Sequence, residues 1–445
     1  MRSALVFLVA LGVLAAVSGS RILRRSQDTH FVAQADAWLH GRADIDPWPR
    51  GADDPAQVEI VRLADGRVVR GRHLVTRPTF YVAGEGEIPR AQVAELVETR
   101  HYNSFPPVPS ILFLPQVLIS GPGANDVATT ALLAALVPVL LLALFARLRA
   151  AGHLTRPPSD DLWLAALLSF GTTLFFSSVQ GRVWFTAHVV GVLLALGYLL
   201  CAIDARRPFW AGVLLGLAAG TRTPMLFMAP LLVLEAHRVS ATRRELAARV
   251  LSGALPAIAI GLVLAWYNLL RFGEAAEFGH RYLAVRQQAQ LEEWGMFSVH
   301  YLWRNLKVAF GLVPEIFGHP PWVRISGHGL AIWITSPVFL LLLRPRACSR
   351  LIVHLWITVA CVAVWSLVYQ NTGWVQFGYR FLLDYVVLLV VILALGGRPI
   401  GPWTRTLILL GILVNLFGAI TFNRAWQFYR TDAKTYEMAT LFDAR

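Results

Sequence analysis

This sequence is poor in charge, in cysteine and above all in lysine. Only 15% of its 445 residues are charged, too few to clothe a soluble enzyme of this length. Cysteine occurs three times, at 201, 348 and 361, twice in apolar runs and once in a basic loop. Neither a disulfide framework nor a Cys-x-x-Cys metal spacing exists. Lysine occurs only at 307 and 434, so arginine carries almost all of the net charge of +13. A nucleic-acid surface would gather those arginines on one exposed face. Here they fall in short clusters between apolar runs, which excludes nucleic acid as a partner and makes them topology markers. A Walker phosphate loop, a Gly-x-Gly-x-x-Gly turn at a strand–helix junction and a serine-hydrolase elbow are missing. ATP-driven transport, dinucleotide chemistry and acyl transfer through such an elbow therefore lack support.

What is present is apolar. Hydrophobic residues make up 56% of the chain and mean hydropathy is +0.54. That profile gives an all-α polytopic membrane protein, one membrane domain over 1–445. Spans need roughly 17–25 apolar residues. Candidates lie at 4–20, 127–147, 162–179, 186–203, 247–270, 328–343, 351–369, 382–396 and 404–422. The first also has the features of a cleaved signal peptide and is read here as a retained span. The run Pro208–Leu234 is longer and is interrupted by "GTRTPM", Gly220–Met225. Read as one span, it sends the basic loops 204–208 and 237–249 to opposite sides. Read as two short helices folded at GTRTP, it puts all five basic loops (146–157, 204–208, 237–249, 344–350 and 396–405) on the cytoplasmic side. The hairpin reading gives about 11 membrane passages, with the N-terminus inside and the C-terminus outside. The extracytoplasmic segments are then 20–107, 271–327, 370–381 and the tail 423–445.

The first outer loop opens on "RRSQDTHFVAQADAWLHGR", Arg24–Arg42. From Asp28 the apolar residues Phe31, Ala35, Trp38 and Leu39 recur at helical spacing, and Gly41 marks the stop. This predicts an interfacial helix with Trp38 at headgroup level. "VEIVRLADGRVVRGRHLV" (58–75) carries β-branched residues around Asp65-Gly66 and predicts a small β-hairpin. "HYNSFPPVPSILFLPQVLI" (101–119) begins with helix-breaking prolines and ends in an apolar segment that dips into the membrane.

Several polar residues invite two readings each. Asp28 is an N-cap of the following helix or a carboxylate that takes a proton from an acceptor hydroxyl at the membrane boundary. Asp36, eight residues on, is a second acid near that face or a solvated residue. Asp44 and Asp46 form an Asp-x-Asp, either a ligand pair for a divalent cation or a turn before proline. Arg380 sits at the outer mouth of a span after Gly378 and Tyr379. It pairs with Asp384 one helical turn on, or it meets a lipid phosphate in bidentate fashion. Arg222, at the tip of the membrane hairpin, is a snorkelling anchor or a phosphate contact. "EFGHRYLAVRQ" (277–287), with Glu277, His280, Arg281 and Tyr282, suits a sugar or phosphate; an amphipathic surface helix has the same composition.

Four of these motifs in order resemble the GT-C superfamily of lipid-linked-sugar-dependent glycosyltransferases, in particular the bacterial relatives of protein O-mannosyltransferases. An Asp a few residues after the first span, followed by "QADAWLHGR", resembles their start. "YNSFPPVPSILFLP" resembles their HPP-L motif, with Phe105 where His is usual and Asn103 just before. "GLAAGTRTPMLFMAPLL" (216–232) resembles their Gly-rich segment, and "QFGYRFLLDY" (376–385) a motif of uncharacterised bacterial members. The resemblance implies a GT-C-like fold in a bacterial plasma membrane, with the active site outside. It implies a polyprenyl-phosphate sugar donor taken from the membrane lipids, Asp28 as catalytic base, and Arg380 and Arg222 stabilising the departing phosphate. It implies sugar transfer with inversion at C1. Thr29 follows Asp28 where the O-mannosyltransferases carry Glu, and His is absent before the prolines, so protein, lipid and glycan acceptors all stay open. A transporter or lipid flippase, and a non-catalytic subunit of an envelope-glycan complex, are the alternatives. A transporter predicts internal repeats and ionisable groups at the membrane midplane; no clear repeat is present.

Overall fold

The computed structural model describes residues 2–285 and 287–432; the tail expected at 423–445 thus lies outside the described residues from 433 onward. Among the described residues, six helices are long and apolar enough to cross a membrane: Ser3–Leu23, Asp126–Ala150, Val183–Ala205, Arg243–Phe272, Arg350–Leu367 and Pro402–Thr421. The remaining apolar runs fold into shorter pieces.

In chain order the helices begin with α1 (Arg2–Ser18) and α2 (His30–Leu39), and after the sheet described below come α3 (Val108–Ser120), α4 (Asp126–Ala135) and α5 (Val137–Ala150). Then follow α6 (Pro158–Phe170), α7 (Leu174–Ser178), α8 (Val183–Ala202), α9 (Pro208–Ala219), α10 (Ala229–Val239) and α11 (Arg243–Phe272). The last are α12 (Gln288–Trp294), α13 (Leu302–Gly311), α14 (Ile332–Thr335), α15 (Arg350–Leu367), α16 (Val386–Leu395) and α17 (Pro402–Thr421). Proline and glycine punctuate them: Pro138 follows the α4–α5 junction, Gly171 ends α6, and Pro208 and Pro402 open their helices. The run at 328–343 holds only α14 and a 3-10 stretch, Pro337–Leu343.

The segment 208–234 folds back on itself. Both ends meet at one place: the Asp204 N–H donates to Glu235 at 2.8 Å, and Arg238 reaches Asp204 at 2.5 Å. The break falls at Gly220–Arg222, as GTRTP predicts. Close helix crossing supports the turn, because a Cβ on Gly212 of α9 would come within 1.8 Å of the Gly253 carbonyl on α11.

All five basic loops gather at this same end. Arg147 pairs with Asp204 at 3.1 Å and His153 with Asp204 at 2.8 Å. Glu235 accepts from His354 at 2.7 Å, beside the 344–350 loop. Arg249 donates to the Ala205 carbonyl at 3.3 Å. Arg156 donates to the Leu393 carbonyl at 3.0 Å, and the Arg346 N–H to the Gly396 carbonyl at 2.9 Å.

The opposite end carries the β-structure. The hairpin around Asp65-Gly66 is present as β1 (Pro55–Leu63) and β2 (Val68–His73), with Gly66 at φ 90°. It is two strands of five, because β3 (Thr79–Val82), β4 (Gly86–Pro89) and β5 (Val93–Asn103) complete an antiparallel sheet of order β4-β3-β2-β1-β5. Register runs from Pro55↔Asn103 to Leu63↔Val93 between β1 and β5. A small sheet of β6 (Glu315–Ile316), β7 (Val323–Ser326) and β8 (Tyr429–Arg430) lies nearer the C-terminus. Residues 277–285 are not an amphipathic helix: Leu283 bridges to Ala56, and the Gln57 N–H donates to the Tyr282 carbonyl at 2.8 Å.

α2 differs from its expectation as well. It is enclosed by protein, with His30, Phe31, Val32, Gln34, Ala35 and Ala37 buried. Phe31 packs on Phe105 and Phe113, and Trp38 Nε1 donates to the Tyr267 hydroxyl of α11 at 2.8 Å.

Candidate functional site

At the sheet-bearing end the helices leave a cavity of about 650 Å³. Distant parts of the chain converge on it: the Asp53–Asp54 turn before β1, the first turn of α8, the α9–α10 tip, the 278–297 segment, and the polar stretch 365–381. Phe422, Asn423 and Trp426 form part of its rim.

Asp54 supplies a carboxylate. Its backbone is left-handed at φ 58°, a conformation that costs a non-glycine residue about 1 kcal/mol. That turn directs the side chain to Trp184, whose Nε1 donates to Asp54 Oδ2 at 3.0 Å. Burial pushes the Asp54 carboxyl above the ordinary carboxylate range, more strongly than His30 and Trp184 pull it down.

Arg380 supplies the cation. It is 5% exposed. Nη1 donates to the Val375 carbonyl at 3.2 Å and Nε has no partner. Its guanidinium carbon stands 5.4 Å from the Phe185 ring centre and 5.6 Å from that of Phe381. Trp184 and Phe185 are consecutive, so one helical turn serves both charged groups. The i,i+4 pair of Arg380 with Asp384 does not form. Residues Arg380–Asp384 wind as a 3-10 helix, in which positions three apart eclipse and positions four apart diverge.

Asp384 instead takes Arg222, accepting from Nε at 2.9 Å and Nη2 at 2.8 Å. His188 Nδ1 lies 3.3 Å from the same carboxylate. Arg222 is therefore not a snorkelling anchor. It lines the cavity with its charge already matched.

Asp28 is not the N-cap of α2. Thr29 stands at the N-cap of α2, and no side chain caps that helix. The Asp28 carboxylate is wholly covered: Oδ1 accepts the Asp53 N–H at 3.0 Å, and Oδ2 lies 2.9 Å from Arg182 Nε, an ion pair without hydrogen-bond alignment. Burial raises the Asp28 carboxyl too, against the pull of Arg182. Among the cavity's lining residues are Asp53, Asp54 and Arg182, but not Asp28.

The other expected residues divide. His280 and Phe105 line the cavity. His280 is pushed down to about 4 by burial and then by Arg222, so its imidazole is neutral near pH 7. Arg281 turns away onto the sheet, 4.0 Å over Tyr81. Asn103 is structural: it donates to Gln34 at 3.0 Å and accepts the Phe105 N–H at 3.0 Å. Tyr379 is buried against Phe381, outside the lining. Asp36 pairs with exposed His40 at 3.8 Å on the far side of α2.

The Asp-x-Asp does not fit a cation. Asp44 meets Arg42 at 3.2 Å, and Asp46 accepts from both the N–H and the ring of His101 at 3.0 and 2.6 Å. Among the described residues, no three His, Cys, Asp or Glu side chains are grouped to hold a metal.

Sequence reasoning missed Asp54, Arg182 and Gln370. The one local signal is "ADDP" (52–55): adjacent acids before a proline that biases the preceding residue away from the right-handed helix.

No protein-family model matches this sequence, and no curated protein does. Two solved structures of the oligosaccharyltransferase of Archaeoglobus fulgidus are similar. The apo form shares 14% identity over 96% of this chain, and the form tethered to an acceptor peptide with the NVT sequon 13% over 95%. The TM-score is 0.43 in each case, and this chain spans only 56% and 55% of those chains. At so low a score, the chemistry of the cavity has to stand on its own residues.

Proposed function

We propose that this protein is an inverting glycosyltransferase that moves a sugar from a polyprenyl-phosphate carrier to an acceptor hydroxyl on the extracytoplasmic side of a bacterial plasma membrane. The observation that carries this reading is Arg380, a buried guanidinium with no carboxylate in ion-pair reach among the described residues, facing the same cavity as Asp54. A buried charge demands a counter-ion. Arg222 and Arg182 already have theirs in Asp384 and Asp28. Among the arginines that line the cavity only Arg380 lacks such a partner, which suits one anionic group, and the phosphodiester that joins a sugar to a lipid supplies it.

Asp54 takes the role that the motif resemblance gave to Asp28. Its raised affinity for a proton suits a general base near neutral pH. The acceptor O–H gives its proton to Asp54, and the acceptor oxygen forms the bond to C1. The C1–phosphate bond breaks, and the phosphate leaves with the electron pair, held by Arg380. Asp28 acts through Asp53 and Arg182 as a positioning residue. The five basic loops at the far end support the extracytoplasmic placement of the site, and this reading keeps the expectation of about 11 passages.

The purified protein, given a polyprenyl-phosphate sugar and membrane extract, should release polyprenyl phosphate. Asp54→Asn and Arg380→Ala should remove that release while the melting transition persists. Release unchanged in both variants sinks the reading.

A further inference from the structure

The transferase reading leaves the acceptor open, and the cavity wall beyond Asp54 bears on it. With the phosphate at Arg380 and the base at Asp54, in-line displacement puts the acceptor on the Asp54 side, toward the rim. Trp426 and Asn423 line the rim, and Trp374, Asn371 and Arg182 line the same cavity. Trp426 is half exposed and stands between Phe422 and Tyr429, 6.4 and 6.1 Å from their ring centres. Asn371 Oδ1 accepts the N–H groups of Gly373 at 2.7 Å and Trp374 at 3.0 Å. That fixes the amide plane and sets its NH2 on the opposite side. Asn423 holds a left-handed backbone at φ 58°, and its Nδ2 donates to Gln180 at 3.1 Å. Its carboxamide oxygen lies across from that bond.

One further atom shows what the ligand brings. Gln370 is 3% exposed, its side chain engages Tyr369, and its Oε1, buried in the cavity wall, has no donor. A buried acceptor left unpaired costs about 1–3 kcal/mol, and an O–H or N–H donor on the cavity's occupant would satisfy it.

We propose that this wall is an acceptor subsite for a hydroxyl-rich ring, a sugar or cyclitol unit of a glycan. Indole faces cover the C–H faces of such a ring, and planar amides, with one donor and one acceptor side each, match its hydroxyls. A peptide acceptor would call for main-chain partners, which this rim of side-chain amides and indoles does not offer. A lipid alcohol would call for an apolar channel to the acceptor position, whereas Asn371, Asn423 and Arg182 put polar groups in this lining. The proposal rests on the transferase reading, and its test separates the two.

In cells that make this chain, the chromosomal copy is replaced by Asp54→Asn. Glycosidic linkages are then analysed in the polysaccharide, lipid and protein fractions. The expected result is loss of a sugar–sugar or sugar–cyclitol linkage. Trp426→Ala and Gln370→Leu should deplete the same linkage, with the half-saturating acceptor concentration in membranes raised about tenfold for Trp426→Ala and polyprenyl-phosphate binding unchanged. Loss of sugar from Ser or Thr, or from a lipid alcohol, overturns the proposal. So does full retention of the linkage in both rim variants. No change in any fraction with Asp54→Asn removes the transferase reading itself, and the acceptor proposal with it.

Discussion

The Asp28 carboxylate accepts the backbone N–H of Asp53 at 3.0 Å, and so joins the segment leading into α2 to the turn that carries Asp54. Asp28 therefore acts at one remove. Asp28→Asn retains an oxygen for the Asp53 N–H but discharges the ion pair with Arg182. It should cost about 1–3 kcal/mol of stability and slow turnover only in part. Asp54→Asn should slow it by about a hundredfold or more. Thermal melts and single-turnover rates on the two variants check this ordering; equal loss of turnover with no loss of stability in Asp28→Asn would restore Asp28 as the base.

The pH dependence follows from the direction of the Asp54 shift. Burial raises its carboxyl, so the protonated, inactive form persists to higher pH than for an ordinary Asp near 3.9. Activity should therefore fall as pH decreases, with the acid limb of kcat/KM clearly above about 4. An acid limb at or below that value contradicts Asp54 as the base. His280 is already neutral in this range, and His280→Gln should leave the limb in place.

The Arg222–Asp384 pair makes a stability prediction of opposite design. Asp384→Asn strands a buried guanidinium and should cost about 3–5 kcal/mol. The double variant Arg222→Met with Asp384→Leu removes both charges and should recover most of that loss. Melting temperatures of the three variants in detergent decide it. A double variant no more stable than Asp384→Asn would mean that the pair is held by more than charge matching.

Gly212 and Gly253 make a packing prediction. The crossing of α9 and α11 has no room for a methyl group at 212. Gly212→Ala should push the helices apart and lower the melting temperature, while Gly261→Ala on the same long helix, where nothing lies within 4 Å, should not. Equal melts for the two variants would contradict the crossing.

The mostly helical architecture and the reversal in the 208–234 run could be read from local sequence. GTRTP marked a reversal because proline, arginine and glycine break an apolar helix, and arginine clusters marked one end because charge cannot stay in lipid. The hairpin at Asp65-Gly66 was legible from turn chemistry, but β5 pairs with β1 from some 30 residues away, and no local pattern announces that register. Arg380 and Arg222 were legible as cations at the ends of apolar runs. Their partners were not: i,i+4 spacing pointed Arg380 at Asp384, whereas a 3-10 turn and a contact 162 residues long gave Asp384 to Arg222. Asp54 escaped because its importance lies in burial and in Trp184, 130 residues on. Asp28 drew attention through its motif, although its surroundings close it off.

The proposal turns on Arg380 holding the lipid phosphate as the one arginine lining the cavity, among the described residues, with no carboxylate in ion-pair reach. The direct measurement is the affinity of the purified protein for polyprenyl phosphate, wild type against Arg380→Ala, at low and high salt. A charged hydrogen-bonded contact of about 2 kcal/mol predicts roughly thirtyfold weaker binding in the variant, with most of the salt dependence lost. Equal affinity and equal salt dependence in the two proteins would contradict the account.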